Sequence, residues 1–278
     1  MKKLLPVLGV ITWIVLGVIS IGSDCGNIVG GAPTGLAIVA DTDSTVKLTW
    51  SAPAEGTPDK YIVYFKAVGA ADYEMIANNV TTTSFVHDPS GKTGTYKVAA
   101  KFGSEEYTSP TTVSTVPVPT SVVTLAELNA AGNSGYGWSR TNGNGATYSM
   151  TQAANAANVD VYLTDFATGY AGPEYCIASP DIARADDPGA AGVVPEAAWR
   201  MNAIAKGLTN ENAPLPAHTD ISYAQYQEID QTPFLIAVYT KADEYYALLK
   251  IDSQNTGNGT VQVWSWFQLV KGLRLIQH

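Results

Sequence analysis

The chain has 278 residues, 46% of them hydrophobic and 15% charged, with a formal net charge of −9. Enough apolar residues are present to fill real cores, which excludes a largely disordered chain, and the length predicts roughly two domains. The acidic balance argues against nucleic-acid binding, and two Cys with three His exclude both a cysteine-rich zinc module and a disulfide-dense mini-domain.

Met1-Lys2-Lys3 is a short basic start, and Leu4 to Gly22 is apolar without one charge. Residues 1–31 therefore read as an export signal, or an uncleaved membrane anchor through residues 4–22, plus a leader. Ser20 and Gly22 supply the small residues that cleavage after Gly22 needs. Cys25 is a candidate lipidation site, although Asp24 and Gly22 depart from a bacterial lipobox. A thiol in a flexible leader and a Cys25–Cys176 disulfide are the other readings, the second permitted by an oxidising compartment.

From 32 to 117 the pattern is short strands with turns between them. Strands are expected at Leu36–Val39, Val46–Trp50, Tyr61–Phe65, Tyr73–Ala77, Ser84–His87, Tyr96–Phe102 and Thr111–Val116. Val46, Leu48 and Trp50 alternate with Lys47 and Thr49, which gives one buried and one wet face. About seven such strands imply an antiparallel sandwich that folds by itself. The stretch 118–123, beginning Val118-Pro119, reads as a stiff linker.

Residues 124–278 read as a second, β-rich domain. Thr124 to Leu128 predicts a short helix with Thr124 as N-cap and Glu127 at its third position. Gly132 to Ala146 is rich in Gly, Asn and Ser and reads as a loop carrying Tyr136 and Trp138. Strands are expected at Thr147–Met150 and Val159–Leu163, a long loop at Thr168–Gly192, and a helix within Pro195–Leu208. Phe234–Thr240, Tyr245–Ile251 and Thr260–Leu269 predict three consecutive strands. In the last, Val261, Val263, Ser265 and Phe267 face one way and Gln262, Trp264, Trp266 and Gln268 the other. The fold class is thus mainly β: a sandwich, then a second sandwich or half-barrel with one or two short helices.

Pro33-Thr34-Gly35-Leu36, Val46-x-Leu48-x-Trp50, Tyr61-Ile62-Val63-Tyr64 and Thr95-Tyr96-Lys97-Val98 together resemble a fibronectin type III domain. The resemblance implies that Trp50 and Tyr96 are core residues, Tyr96 at the tyrosine-corner position. It implies a spacer or platform and no particular ligand. Asp160-Val161-Tyr162 and Tyr246 to Ile251 are faintly similar to secreted HmuY-type haem-binding proteins. Haem ligation there uses a His pair. Only His218, with His278 at the chain end, lies in this domain, so haem is not carried over and no cofactor is expected.

Phosphate-loop, zinc-protease and serine-hydrolase signatures are absent from the sequence. His87 and His218 read as surface residues. Glu174, Asp181, Asp186, Asp187, Asp220, Glu228 and Asp230 are the acids from which a glycosidase pair would have to come, and Asp181 to Asp187 could offer oxygens to Ca²⁺. No catalytic residue and no metal site are assigned. Trp264 and Trp266 are the candidate ligand-binding residues: two rings on one sheet face, which with Tyr136, Trp138 or Tyr162 could stack on sugar, or else fill a core. The sequence reads as an exported surface or extracellular binding protein whose ligand is a glycan or a protein. The alternative is a secreted glycan-active hydrolase with an accessory type III module.

Overall fold

A computed structural model describes residues 30–172, 174–220 and 222–278, and they are almost entirely β. The export segment 4–22 and Cys25 lie outside them. Among the described residues no helix is long and apolar enough to cross a membrane.

Eight strands make the first sandwich. They are β1 (Thr34–Ala40), β2 (Val46–Ser51), β3 (Lys60–Ala67), β4 (Glu74–Val80), β5 (Ser84–His87), β6 (Gly94–Phe102), β7 (Glu105–Thr108) and β8 (Val113–Ser114). One sheet has the order β1-β2-β5; the facing sheet is β4-β3-β6-β7, with β8 also on β6. This antiparallel sandwich, three strands on five with the two-residue β8 included, is the architecture that the type III resemblance implies. Alternation places Val46, Leu48 and Trp50 inside, with Trp50 edge-on to Tyr61 at 5.3 Å between ring centroids. Tyr96 is fully buried, but its hydroxyl bonds His87 Nδ1 at 3.0 Å instead of the backbone contact of a tyrosine corner.

The remaining strands are β9 (Val118–Ala126), β10 (Gly135–Trp138), β11 (Gly145–Tyr148), β12 (Val161–Thr164), β13 (Cys176–Ala178), β14 (Asn202–Ala205), β15 (Tyr226–Glu228), β16 (Phe234–Thr240), β17 (Tyr245–Asn255) and β18 (Thr260–Phe267). They form two five-stranded sheets, β11-β10-β12-β13-β15 and β14-β16-β17-β18-β9. Between the sheets lies an apolar core that includes Trp138, Val161, Ile177, Ile204, Ile236, Leu249 and Phe267. One seam is closed by main chain, where Ile204 and Ala224 exchange N–H···O bonds of 2.8 and 2.9 Å. At the other, the Gly145 N–H donates to Thr120 Oγ1 at 2.8 Å. The result is a flattened barrel.

Residues 118–123 are not a linker: they begin β9, which pairs along β18. The predicted helix at Thr124–Leu128 gives way to the end of the same strand. An unpaired edge on β18 would waste main-chain donors, and Val123 and Leu125 fill the core, so pairing overrides a capping-box sequence. The predicted helix in Pro195–Leu208 is instead an irregular run ending in β14, whose Ala203 and Ile204 face opposite sides of the sheet. Short helices do occur, as 3₁₀ turns at Ala153–Asn155, Pro180–Arg184 and Pro188–Ala190. The Gly-rich 132–146 stretch carries a buried strand. Gly137 lies so near the Asn158 carbonyl that a Cβ would collide with it, so glycine here serves close packing.

The boundary at 117 does not close the first sandwich either. Val270, Leu273 and Leu275, at the far end of the chain, belong to its core. Buried Gln268 fixes this return: its Nε2 donates to the carbonyls of Thr115 at 2.8 Å and Leu275 at 2.7 Å.

Candidate functional site

The outer face of the β14-β16-β17-β18-β9 sheet is covered at one end and open at the other. Tyr239, Tyr246, Leu248 and Trp266 are covered by Leu215 and Ile276. Beyond them Leu235, Lys250 and Trp264 stand side by side on β16, β17 and β18, since Leu235 pairs with Lys250 and Lys250 with Trp264. A groove of about 950 Å³ opens beside this row, lined by Lys206 to Asn212, by Asp230, Gln231 and Pro233 to Leu235, and by Lys250. Its two lysines are engaged: Lys206 Nζ pairs with Asp230 at 2.9 Å and Lys250 Nζ with Glu211 at 3.0 Å. Such exposed pairs add little stability, but they fix donors and acceptors along both walls. Asn210, Asn212 and Gln231 add amides, and the mostly buried Phe234 adds an apolar surface.

The two candidate tryptophans part company. Trp264 is 37% exposed, while Trp266 is 9% exposed and lies under His278, the rings 3.9 Å apart at 22°. The platform expected from two rings is therefore a single open ring. Tyr136 and Trp138 are in the core between the sheets, where both bond Ser265 Oγ, at 2.7 and 3.0 Å. Tyr162 packs on the far side of the other sheet and donates to Asp187 at 2.9 Å.

The other candidates are dispersed. His87 lies in the first sandwich. His218 bonds the Tyr246 hydroxyl through Nδ1 at 3.1 Å and stacks on Tyr239. Asp187 turns inward to Tyr162, Thr164 and the Gly189 N–H, and Asp181 to Ser179 and Gln225. Among the described residues no three His, Cys, Asp or Glu side chains gather to hold a metal ion. The neighbouring Glu174 carboxylate raises the Glu228 carboxyl. Cys176 is buried on β13, and burial followed by the charge of Glu228 pushes its thiol up to about 12.

A buried ionic cluster was missed. Fully buried Asp160 receives Arg140 through both guanidinium nitrogens at 2.8 Å, Arg200 at 2.7 Å and the Trp138 N–H at 2.9 Å. Arg140 reaches on to Asp243 at 2.6 Å. Two positive and two negative groups balance, and the cluster ties β10 and β12 to the opposite sheet. No spacing in the sequence announces it, because its members are spread over about a hundred positions.

Comparison with known proteins names no family. No family model matches, and no curated protein sequence matches. Solved structures that resemble the chain include an Fn3-like protein from Clostridium thermocellum, 26% identical, covering 28% of this chain and 88% of its own, with a TM-score of 0.22. A DUF4466 family protein from Parabacteroides merdae is 11% identical over 82% of this chain and 93% of its own, TM-score 0.40. The chicken contactin FN1–FN3 domains are 10% identical over 87% of this chain and 89% of their own, TM-score 0.25.

Proposed function

We propose that the chain is an exported surface protein whose C-terminal β domain binds a neutral glycan across Trp264 and the groove beside it. The observation that carries this is the in-register row of Trp264, Lys250 and Leu235 leading into a groove walled by fixed ion pairs and amides. Aromatic faces pack on the C–H faces of sugar rings, and fixed donors and acceptors match hydroxyl groups. From Trp264 to Gly207 the row crosses three strand intervals, roughly 14 Å, which suits a short oligosaccharide better than one ring. A net charge of −9 gives no attraction for an anionic sugar. The apolar run at residues 4–22 supports export.

Purified protein screened on a glycan array, beside a Trp264→Ala variant of equal thermal stability, tests this. Binding of neutral oligosaccharides that the variant loses, and that changes little with salt, is expected. Glycan binding that survives the substitution, or none at all, overturns it. The hydrolase alternative keeps one observation in its favour, since Glu211 and Asp230 line the same groove. Release of shortened sugars, lost in Glu211→Gln or Asp230→Asn, would select it.

A further inference from the structure

One wall of the groove is held from outside its own sheet. The Leu215 N–H donates to the Arg274 carbonyl at 2.9 Å, and Arg274 Nη1 returns a bond to the Leu215 carbonyl at 3.0 Å. Asn212, itself a lining residue, accepts the His278 N–H on Oδ1 at 2.9 Å. Pro214 lies against the first sandwich directly: a Cβ on Gly91 would stand 3.2 Å from its ring.

The terminal segment that holds this wall is anchored in turn in the first sandwich. Leu273 and Leu275 are fully buried there. The Arg274 N–H donates to the Asp43 carbonyl at 2.8 Å, and its guanidinium lies 3.1 Å from the Asp43 carboxylate. Thr93 donates two more bonds to Gln277, from its N–H and its hydroxyl. The chain of contact is continuous, from the groove through Asn212 to Leu215, through Arg274 to Gln277, to Asp43 and Thr93.

We infer that the first sandwich is a working part of the groove: through residues 270–278 and the adjoining 213–216 stretch it sets the position of the 207–212 wall. It is more than a spacer. Arg274 and Thr93 are positioning residues that never touch the ligand, and groove binding and docking of the two modules strengthen each other by the same factor. This rests on the reading of the groove as the binding site, but its test needs no ligand.

Hydrogen exchange on the full chain decides it. In the unaltered protein the amides of Leu215, Arg274 and Thr93 should open together as one unit. Thr93→Val removes a hydroxyl and keeps the shape; Arg274→Ala removes the Asp43 and Leu215 ties. In each, Asn212, Ala213 and Leu215 should exchange about tenfold faster or more, while β12 and β16 keep their protection. If Leu215 opens independently of Thr93 in the unaltered protein, the inference fails. It fails equally if the wall exchanges unchanged in both variants. A variant that does not fold leaves the decision to the unaltered protein, and failure of the glycan screen leaves this result standing.

Discussion

Thr93 and Gln277 lie 184 positions apart and share two hydrogen bonds: the Thr93 N–H donates to Gln277 Oε1 at 3.2 Å, and the Thr93 hydroxyl donates to the Gln277 carbonyl at 2.5 Å. Residues 273–277 are thereby built into the first sandwich. A sandwich cut at residue 117 would lack Val270, Leu273 and Leu275 from its own core. The expected outcome is one calorimetric transition for the full chain. Leu275→Ala should cost about 2–5 kcal/mol and Trp50→Ala about 3–5 kcal/mol, each lowering that single transition. Two separate transitions, only one of them moved by Leu275→Ala, would refute this.

The two tryptophans should respond oppositely. Trp266, buried beneath His278, should cost about 3–5 kcal/mol on truncation to Ala. Trp264→Ala should cost about 1 kcal/mol or less, because much of its ring already meets water. Thermal unfolding of both variants measures this. An equal, large loss would make Trp264 a core residue and remove it from the open surface beside the groove.

The Asp160 cluster should be asymmetric in its energetics. Asp160→Ala leaves Arg140 and Arg200 without their shared partner and takes an acceptor from the Trp138 N–H. A loss of about 3–5 kcal/mol in urea unfolding is expected. Arg200, partly exposed and making one contact with Asp160, should cost about 1 kcal/mol when replaced by Ala. Comparable losses from the two would contradict the assignment of Asp160 as the hub.

Glu127 gives a pH signature. It is fully buried, accepting the Asn129 N–H at 2.6 Å and the Asp165 N–H at 3.4 Å. Burial raises its carboxyl from 4.5 to about 7; the Asn129 bond opposes this and the Asp165 charge adds to it. Folding therefore takes up a proton between these values. Stability from this group is fully present below about 4.5 and is lost as pH rises through about 7, by at most about 3 kcal/mol. Urea midpoints should fall across that window, and Glu127→Gln should flatten the fall. An unchanged slope in the variant would exclude Glu127 as its source.

Alternation was legible in the sequence where one face is wet or a hairpin is regular. The faces of β2 and β18 follow directly from the two-residue period. The row of Leu235, Lys250 and Trp264 was not. Counting back from the Asn255–Thr260 pair sets Ile251 opposite Trp264; an irregularity between Ile251 and Ser253 shifts the register so that Lys250 stands there instead. That step leaves no mark in composition. Short strands such as β10 and β13 are hidden in Gly- and Pro-rich stretches, because their identity comes from neighbours distant in sequence. The tryptophan spacing placed both rings on one face and could not show which of them His278 would cover.

The seam between Ile204 and Ala224 has a consequence for association between molecules. Main-chain closure there leaves that side of the second domain little open ladder on which a second chain could add a strand, while the other side is held by a side-chain bond, Gly145 N–H to Thr120 Oγ1. Recruitment into fibres or strand-exchanged dimers would have to begin elsewhere, at β9 and β11 or at the outer strands of the first sandwich. Of these β5 is only four residues long and β4 starts with the exposed Glu74. Both are poor templates for an added strand, which bears on self-association at high local concentration.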